Sequence, residues 1–423
     1  MTAKRCFLPI IFLYALLMCT VPLGAMFPIN LFKPWDINLR PPQWHNTSFQ
    51  VTGWGEFGLH ADGFDADGHE VPVTQIWTPN QDALAMLKGF GPNSPETDFF
   101  VNVLGSPTDD GIRGNFKVTG DLEASTFGFA LRYHAPHNFT VGFHLPFFAM
   151  KLKNIFFIDQ TQDVTPADVV VKDNLTNNFA AVVAQLDPTL DITGWKRMAF
   201  GDVALVIEWI RDFYQGRPIL KNVELNARMG LTIPTGAPVD ENKIESIPFG
   251  FDGSFSFIGG GGIMINWWNY LRGGIDAEFI HLFGNTRERR IKVQAEQTDL
   301  LFLAKARAFK QYGFTQRFDV YLEAFNLLGG GLWFGAAYQY WRHDDDSLTL
   351  CTNDFSQEVA NTAQNLQGWT INELIFKIGY DFQHVVCDDN GFKPQISAFY
   401  KIPIVGTRSI IENTIGGTFT VNF

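Results

Sequence analysis

The stretch GGTFTVNF, residues 416–423, decides the fold. Phe423, Val421, Phe419, Gly417 and Ile415 share one parity, and Asn422, Thr420, Thr418 and Thr414 share the other. That alternation is the period of a β-strand with one apolar and one polar face. An aromatic last residue gains little in water, where chain ends fray, so a strand that runs to Phe423 needs a partner along its whole length. A closed barrel supplies one.

Working back along the chain, the same alternation recurs. Phe49, Val51 and Phe57 open the series. Phe116, Val118 and Leu122 follow, then the parity of the apolar residues flips to Phe127, Phe129, Leu131 and Tyr133, which predicts a bulge near Ala124. A short APHN turn leads to Phe139, Val141, Phe143, Leu145 and Phe147. Further hairpins join Val203–Trp209 to Val223–Ile233, Phe255–Ile265 to Leu271–Phe279, Phe318–Leu322 to Phe334–Tyr340, and Leu374–Phe382 to Ile396–Ile402. With the terminal strand these make 12 strands.

The connections alternate between short and long, with long ones near residues 60–113, 151–199, 235–251, 285–314 and 343–368. This is the pattern of an all-β, transmembrane, antiparallel up-and-down barrel with tight periplasmic turns and long outside loops carrying short helices. To keep the strand number even, DLLFLAKARAFKQYGF (299–314) is assigned to a loop helix. VPVTQIW and DFFVNVLG in the first loop offer one more hairpin and an alternative of 14 strands.

Composition fits this reading. Of 423 residues 41 are Phe, 11 Trp and 39 Gly, while only 18% are charged. Past the leader no apolar run approaches the roughly 20 residues of a membrane helix. Trp209, Trp267, Trp268, Tyr338, Tyr340 and Tyr380 fall near strand ends, where interfacial girdles belong. A soluble sandwich is excluded by the opposite face, which carries Glu208, Glu224, Arg228, Arg272, Asp276, Glu278, Asp319, Glu323, Glu373 and Lys377. A dry core does not hold so many charges, so these are expected to line a lumen. A net charge of -12 removes nucleic acid from the partners.

The chain begins MTAKRCFLPIIFLYALLMCTVPLGA, with Lys4 and Arg5, an apolar run and small residues to Ala25. Residues 1–25 are expected to be a signal peptide, 26–46 a periplasmic or plug-like segment, and 47–423 the barrel. Cys19 as a lipid-bearing cysteine is disfavoured by Leu17 and Met18 before it. Cys351 falls in an outside loop and Cys387 in a periplasmic turn, too far apart for a disulfide across an apolar band about 25 Å tall.

Two stretches carry a resemblance. GGTFTVNF resembles the C-terminal strand signal of bacterial outer-membrane barrels, which implies that Phe419, Val421 and Phe423 are read by the outer-membrane assembly machinery. NARMGLTIPTG (226–236) resembles a strand-to-loop segment of outer-membrane channels for aromatic and fatty compounds. The expected place is the outer membrane of a Gram-negative bacterium, among its lipid and lipopolysaccharide. The expected function is porin-like transport of small solutes; the alternative is a surface barrel with a plugged lumen whose loops bind partners.

Three further groups are candidates for chemistry. Arg287, Arg289, Arg290, Lys292, Lys305, Arg307 and Lys310 are expected to form a basic constriction selecting anions, the bland reading being contact with lipopolysaccharide phosphates or pairing with carboxylates. Asp62, Asp65 and Asp67 offer hard oxygen ligands for calcium without the helix-loop-helix spacing. No enzyme and no cofactor is expected. None of the nine histidines is followed by Ser two residues later, as a barrel phospholipase requires, and His343 beside Asp344, Asp345 and Asp346 points away from its neighbours on a strand.

Overall fold

The computed structural model describes residues 48–88, 113–162, 165–268, 270–327, 330–382 and 392–423. Twelve antiparallel strands form the barrel: β1 Phe49–Phe64, β2 Asn115–Ala135, β3 Phe139–Asp159, β4 Val203–Tyr214, β5 Leu220–Ile233, β6 Ser256–Trp267, β7 Leu271–Leu282, β8 Phe314–Leu327, β9 Leu332–His343, β10 Trp369–Asp381, β11 Lys393–Thr407 and β12 Ser409–Asn422. Each pairs with its sequence neighbour, and β1 closes the ring by pairing with both β2 and β12. The 14-strand alternative is not adopted: Glu70–Val71 makes only a two-residue pairing with β1, and Val73–Gln75 is a 3-10 turn tucked inside. DFFVNVLG lies outside the described residues, as do the segments 1–25 and 26–46.

The closing seam explains the terminal aromatic. The Phe49 and Ser48 amides donate to the Phe423 carbonyl at 2.8 and 3.0 Å, and the Phe423 amide donates to the Phe49 carbonyl at 2.9 Å. On the inner face Gln50 meets Asn422 at 2.8 Å and Thr52 meets Thr420 at 3.0 Å. On the outer face the Phe423 ring faces Phe49, which in turn packs on Tyr133 with centroids 5.0 Å apart. The outer surface continues as an apolar belt that includes Phe127, Phe129, Leu205, Ile275, Val320, Phe376 and Phe419. An exposed hydrophobic ring of this extent on a closed barrel is the lipid-facing band of an outer-membrane-type protein.

Two expectations are corrected by the backbone. The bulge placed near Ala124 lies on the partner strand: β2 keeps its even-numbered residues inward from Phe116 to Arg132, and the extra residue sits on β1, where the register shifts between Phe57 and Ala61 opposite Ser125 and Leu122. What flips is the chemistry, because the inner face near the long loops is apolar. A second register shift, with β3, sits between Thr119 and Asp121, opposite Asn154, whose φ is 54°. The helix assigned to residues 299–314 is extended instead. Lys305–Gln311 alternates buried Ala306, Ala308 and Lys310 with outward Arg307 and Phe309, a period of two. It joins Asn285–Arg290 and Ser347–Leu350 in a three-stranded sheet outside the barrel wall's own ladder, so the even strand number survives.

The lumen is filled in two layers. Near the short turns it holds charged and polar side chains. Near the long loops it holds an apolar mass built from Phe116, Phe148, Phe249, Phe251, Trp369 and their neighbours, with the loop 235–251 folded inward so that Ile244 and Ile247 are buried.

Candidate functional site

The inner wall is built from pairs that skip a strand. Arg228 on β5 donates through Nε to Glu278 of β7 at 2.8 Å and through Nη1 to Asp276 at 2.8 Å. Between them lies β6, and the register puts Gly260 opposite both Arg228 and Glu278. Next-nearest strands are about 10 Å apart, within reach of an arginine only if nothing stands between. A Cβ on Gly260 would sit 3.2 Å from Arg228 Nη2, and one on Gly262 2.7 Å from Asp276 Oδ2. The sequence IGGGGI is therefore a gap cut for a side chain to cross.

The device recurs. Lys377 of β10 reaches Glu323 of β8 at 3.1 Å over Gly335 of β9, which is in register with both. Arg132 of β2 pairs with Glu208 of β4 past Gly142 of β3. Lys401 of β11 reaches Glu56 of β1 at 2.7 Å across β12. Pairs between adjacent strands fill the rest: Arg272 with Glu323 at 2.5 Å, Arg317 with Glu278 at 3.1 Å, and Gln339 with Asp319 at 2.6 Å. All ten lumen candidates, Glu224 and Glu373 included, lie on the inward parity of their strands. Desolvating charges is costly, and these are held because nearly every cation meets a carboxylate.

The outside mouth has its own hub. Asp252, in a turn with φ 53°, is 1% exposed and accepts from the Val239 amide at 3.0 Å, Arg287 at 2.5 Å, Arg289 at 2.8 Å and the Tyr312 hydroxyl at 3.1 Å. Burial alone would raise its carboxyl, but Arg289, Arg287 and Lys310 hold it below the ordinary range. Arg290 donates to Asp187 at 2.7 Å, Lys292 approaches Asp299 at 3.8 Å, Lys310 meets Asp346 at 2.9 Å, and Lys305 donates to Asn242 at 2.7 Å. Arg307 alone of the seven is exposed. The structure thus brings the basic residues together and sets six of them against loop carboxylates and amides.

The inward loop is pinned from the wall. Trp195 donates to the Ile244 carbonyl at 2.8 Å, and Arg197 donates to Ser246 at 2.8 Å and to the Ile247 and Pro238 carbonyls at 2.7 Å each. Asp202 accepts from the Gly236 and Phe251 amides at 2.9 and 2.6 Å, and burial pushes its carboxyl up to about 6. The NARMGLTIPTG stretch is the end of β5 and the turn that Asp202 holds.

The remaining candidates are local. Asp65 accepts from the Asp67 and His69 amides at 2.9 Å each, and the side chains of these three residues come within 4.8 Å of one another; Asp62 lies outside that group and contacts His60 at 2.8 Å. His343 contacts Asp346 at 3.1 Å and Thr315 at 2.7 Å, yet Thr315 is 1% exposed, out of reach of a solute. Cys351 is an exposed free thiol; Cys387 lies outside the described residues. Sequence reasoning missed Arg132 and the crossing glycines, although their inward parity and the run of four glycines were signals.

No protein-family model matches the chain, and no curated protein does. Several solved structures are similar to it at low sequence identity. An outer membrane channel from Pseudomonas putida is 8% identical, with 92% of this chain and 99% of that one covered and a TM-score of 0.49. The Ralstonia pickettii toluene transporter TbuX is 11% identical, with 90% of each chain covered and a TM-score of 0.31. A mutant of the monoaromatic hydrocarbon channel TodX is 10% identical, with 95% and 96% covered and a TM-score of 0.36. The class defined by closure and belt is a transmembrane β-barrel of the outer-membrane type.

Proposed function

We propose that the chain is an outer-membrane channel for small solutes, closed in this state by its own loops. The observation that carries the reading is the charged layer of the lumen. A barrel that only displayed loops is more cheaply filled with apolar side chains, because every buried charge must be desolvated and paired. Charges retained along the inner wall suit a route through which water and polar solutes pass once the mouth opens. Arg287, Arg289, Arg290, Lys292, Lys305 and Lys310 would then serve twice, as a clasp on the loops when closed and as a basic ring selecting anions when their carboxylates move away.

Single-channel recording of the refolded protein in a planar bilayer under a salt gradient tests this. The expected record is brief openings with anion preference, lengthened by Asp252→Ala. Silence from protein shown to be folded, with that variant silent too, favours the second reading. That reading is a surface barrel whose loops bind partners, and the apolar mass filling the mouth supports it.

A further inference from the structure

The outward face of β3 changes character once. Phe139, Val141, Phe143, Leu145, Phe147 and Ala149 run up it from the short turn, and Lys151 and Lys153 follow. At about 3.4 Å per residue along a strand tilted by about 40°, the climb from Phe139 to Lys151 is roughly 30 Å, which sets the lysines just past an apolar band about 25 Å tall, on the side of the long loops. The segment Trp195–Phe200 extends the wall beside β3, with Trp195 and Arg197 turned inward and Lys196, Met198 and Phe200 outward. The register puts Lys196 directly opposite Lys151. Like charges directly opposite on one face repel, and a local rule broken in this way marks a place where something else compensates. The acids at hand are engaged elsewhere: Glu123, opposite Lys151 on β2, is bonded to Lys153 and reaches Lys151 only through its field, and Asp121 accepts from Asn154 at 2.7 Å. Immediately below the two lysines, Met198 and Phe200 are each 57% exposed, and the Phe200 ring meets Phe147 edge-on at 5.6 Å.

We propose that Lys151 and Lys196 together bind a phosphate monoester on an outer-leaflet glycolipid, the lipid A anchor of lipopolysaccharide, whose acyl chains lie over Met198, Phe200 and Phe147. A phosphate monoester carries a charge of about −1.5 to −2, which balances two ammonium groups, whereas the diester of an ordinary phospholipid carries a single charge. An anion held between the lysines removes their repulsion and gives each a charge-assisted hydrogen bond. Ammonium groups at headgroup level with apolar side chains beneath them meet both ends of such a lipid at once. With a net charge of -12 the molecule as a whole repels an anionic lipid, so attraction has to come from a local group of cations. The lipid site lies on the outside of the wall and does not depend on transport through the lumen.

Lipid A, the same lipid with its phosphates removed, and phosphatidylglycerol are added in turn to the folded full chain in detergent, and the bound lipid is followed by native mass spectrometry. Lipid A is expected to bind at least about tenfold tighter than either of the others. K151Q/K196Q is expected to erase that preference, K151R/K196R to keep it, and K196E, a single change at an exposed position, to lose it as well. Equal binding of the phosphorylated and bare lipids, no binding of any of them, or a preference kept by K151Q/K196Q or by K196E overturns the assignment. Phosphatidylglycerol bound as tightly as lipid A also overturns it, leaving a surface for anionic lipid in general. Displacement of lipid A by inorganic phosphate at equal concentration overturns it too, and makes free phosphate the ligand.

Discussion

In the half of the barrel near the short turns, cations cross glycines to carboxylates on the next strand but one, and each charge is fixed by the wall itself. In the half near the long loops, the wall turns apolar and the charges sit on segments that fold in from outside, gathered on Asp252 and its neighbours. The first arrangement is part of the strand register and moves only if the barrel does. The second is made of loop-to-loop contacts and can come apart while all twelve strands stay paired. The difference separates what holds the molecule together from what controls access to it.

The largest effect is expected where the wall is broken. Arg228→Leu takes the arginine from Asp276 and leaves Glu278 with Arg317 alone, and removing one side of a buried pair costs about 3–5 kcal/mol. Thermal unfolding followed by the heat-dependent gel mobility of the barrel should fall accordingly. Gly260→Val should approach the same loss, since the added carbon stands where the guanidinium crosses. A Gly260→Val protein as stable as the parent would refute the crossing device.

Asp252→Ala should act on the mouth alone. Loss of a buried acceptor shared by two arginines, an amide and a hydroxyl should cost the loops about 2–3 kcal/mol. Limited proteolysis should then cut the 235–251 and 285–314 segments while barrel unfolding stays within about 0.5 kcal/mol of the parent. If barrel melting falls with loop protection, the two halves are one unit.

A smaller, pH-dependent effect sharpens the same boundary. Glu245 is raised from 4.5 to about 8 in the folded loop, so the folded state keeps a proton that the unfolded loop has released. Its contribution is full below pH 4.5, declines as pH rises, and is gone above about 8. Protection factors of residues 240–250, taken against intrinsic exchange rates at each pH, should fall across that window in the parent and stay level in E245Q.

The smallest equilibrium effect belongs to the seam. Phe423→Ala keeps the backbone ladder and loses only the ring contact with Phe49, so stability should drop by about 1 kcal/mol. If Phe419, Val421 and Phe423 act as the assembly signal, membrane insertion in cells should fall far more than refolding in detergent does.

Strand order and wall were legible because parity is local: each inward charge of β5, β7, β8 and β10 could be placed from its neighbours alone. The mouth was not, for two physical reasons. Lys305–Gln311 has strand period, but whether it joins the barrel or a separate sheet depends on partners at Asn285–Arg290 and Ser347–Leu350 that no local pattern names. The flip in β2 is one of chemistry, and it stayed hidden because the reading assumed a polar inner face along the whole strand, whereas Phe116 packs on Phe157 of β3 and on Phe179 of the loop segment inside the mouth. Cations of the basic stretch were identified from sequence, but Asp252 and Asp187, which engage Arg287 and Arg290, lie 35 and 103 residues away, and Asp346, which engages Lys310, lies beyond the next barrel hairpin.

The seam between β1 and β12 also governs the order of events when the barrel forms. Gln50 and Asn422 stand 372 residues apart in the chain, while the other backbone ladders of the wall join strands that follow one another. Hairpins can accumulate in any number before that contact is made, yet each partial sheet exposes two rows of unsatisfied amides and carbonyls that hydrocarbon cannot solvate. Insertion and closure are thereby coupled, and the slow step of folding is the meeting of the two most distant strands.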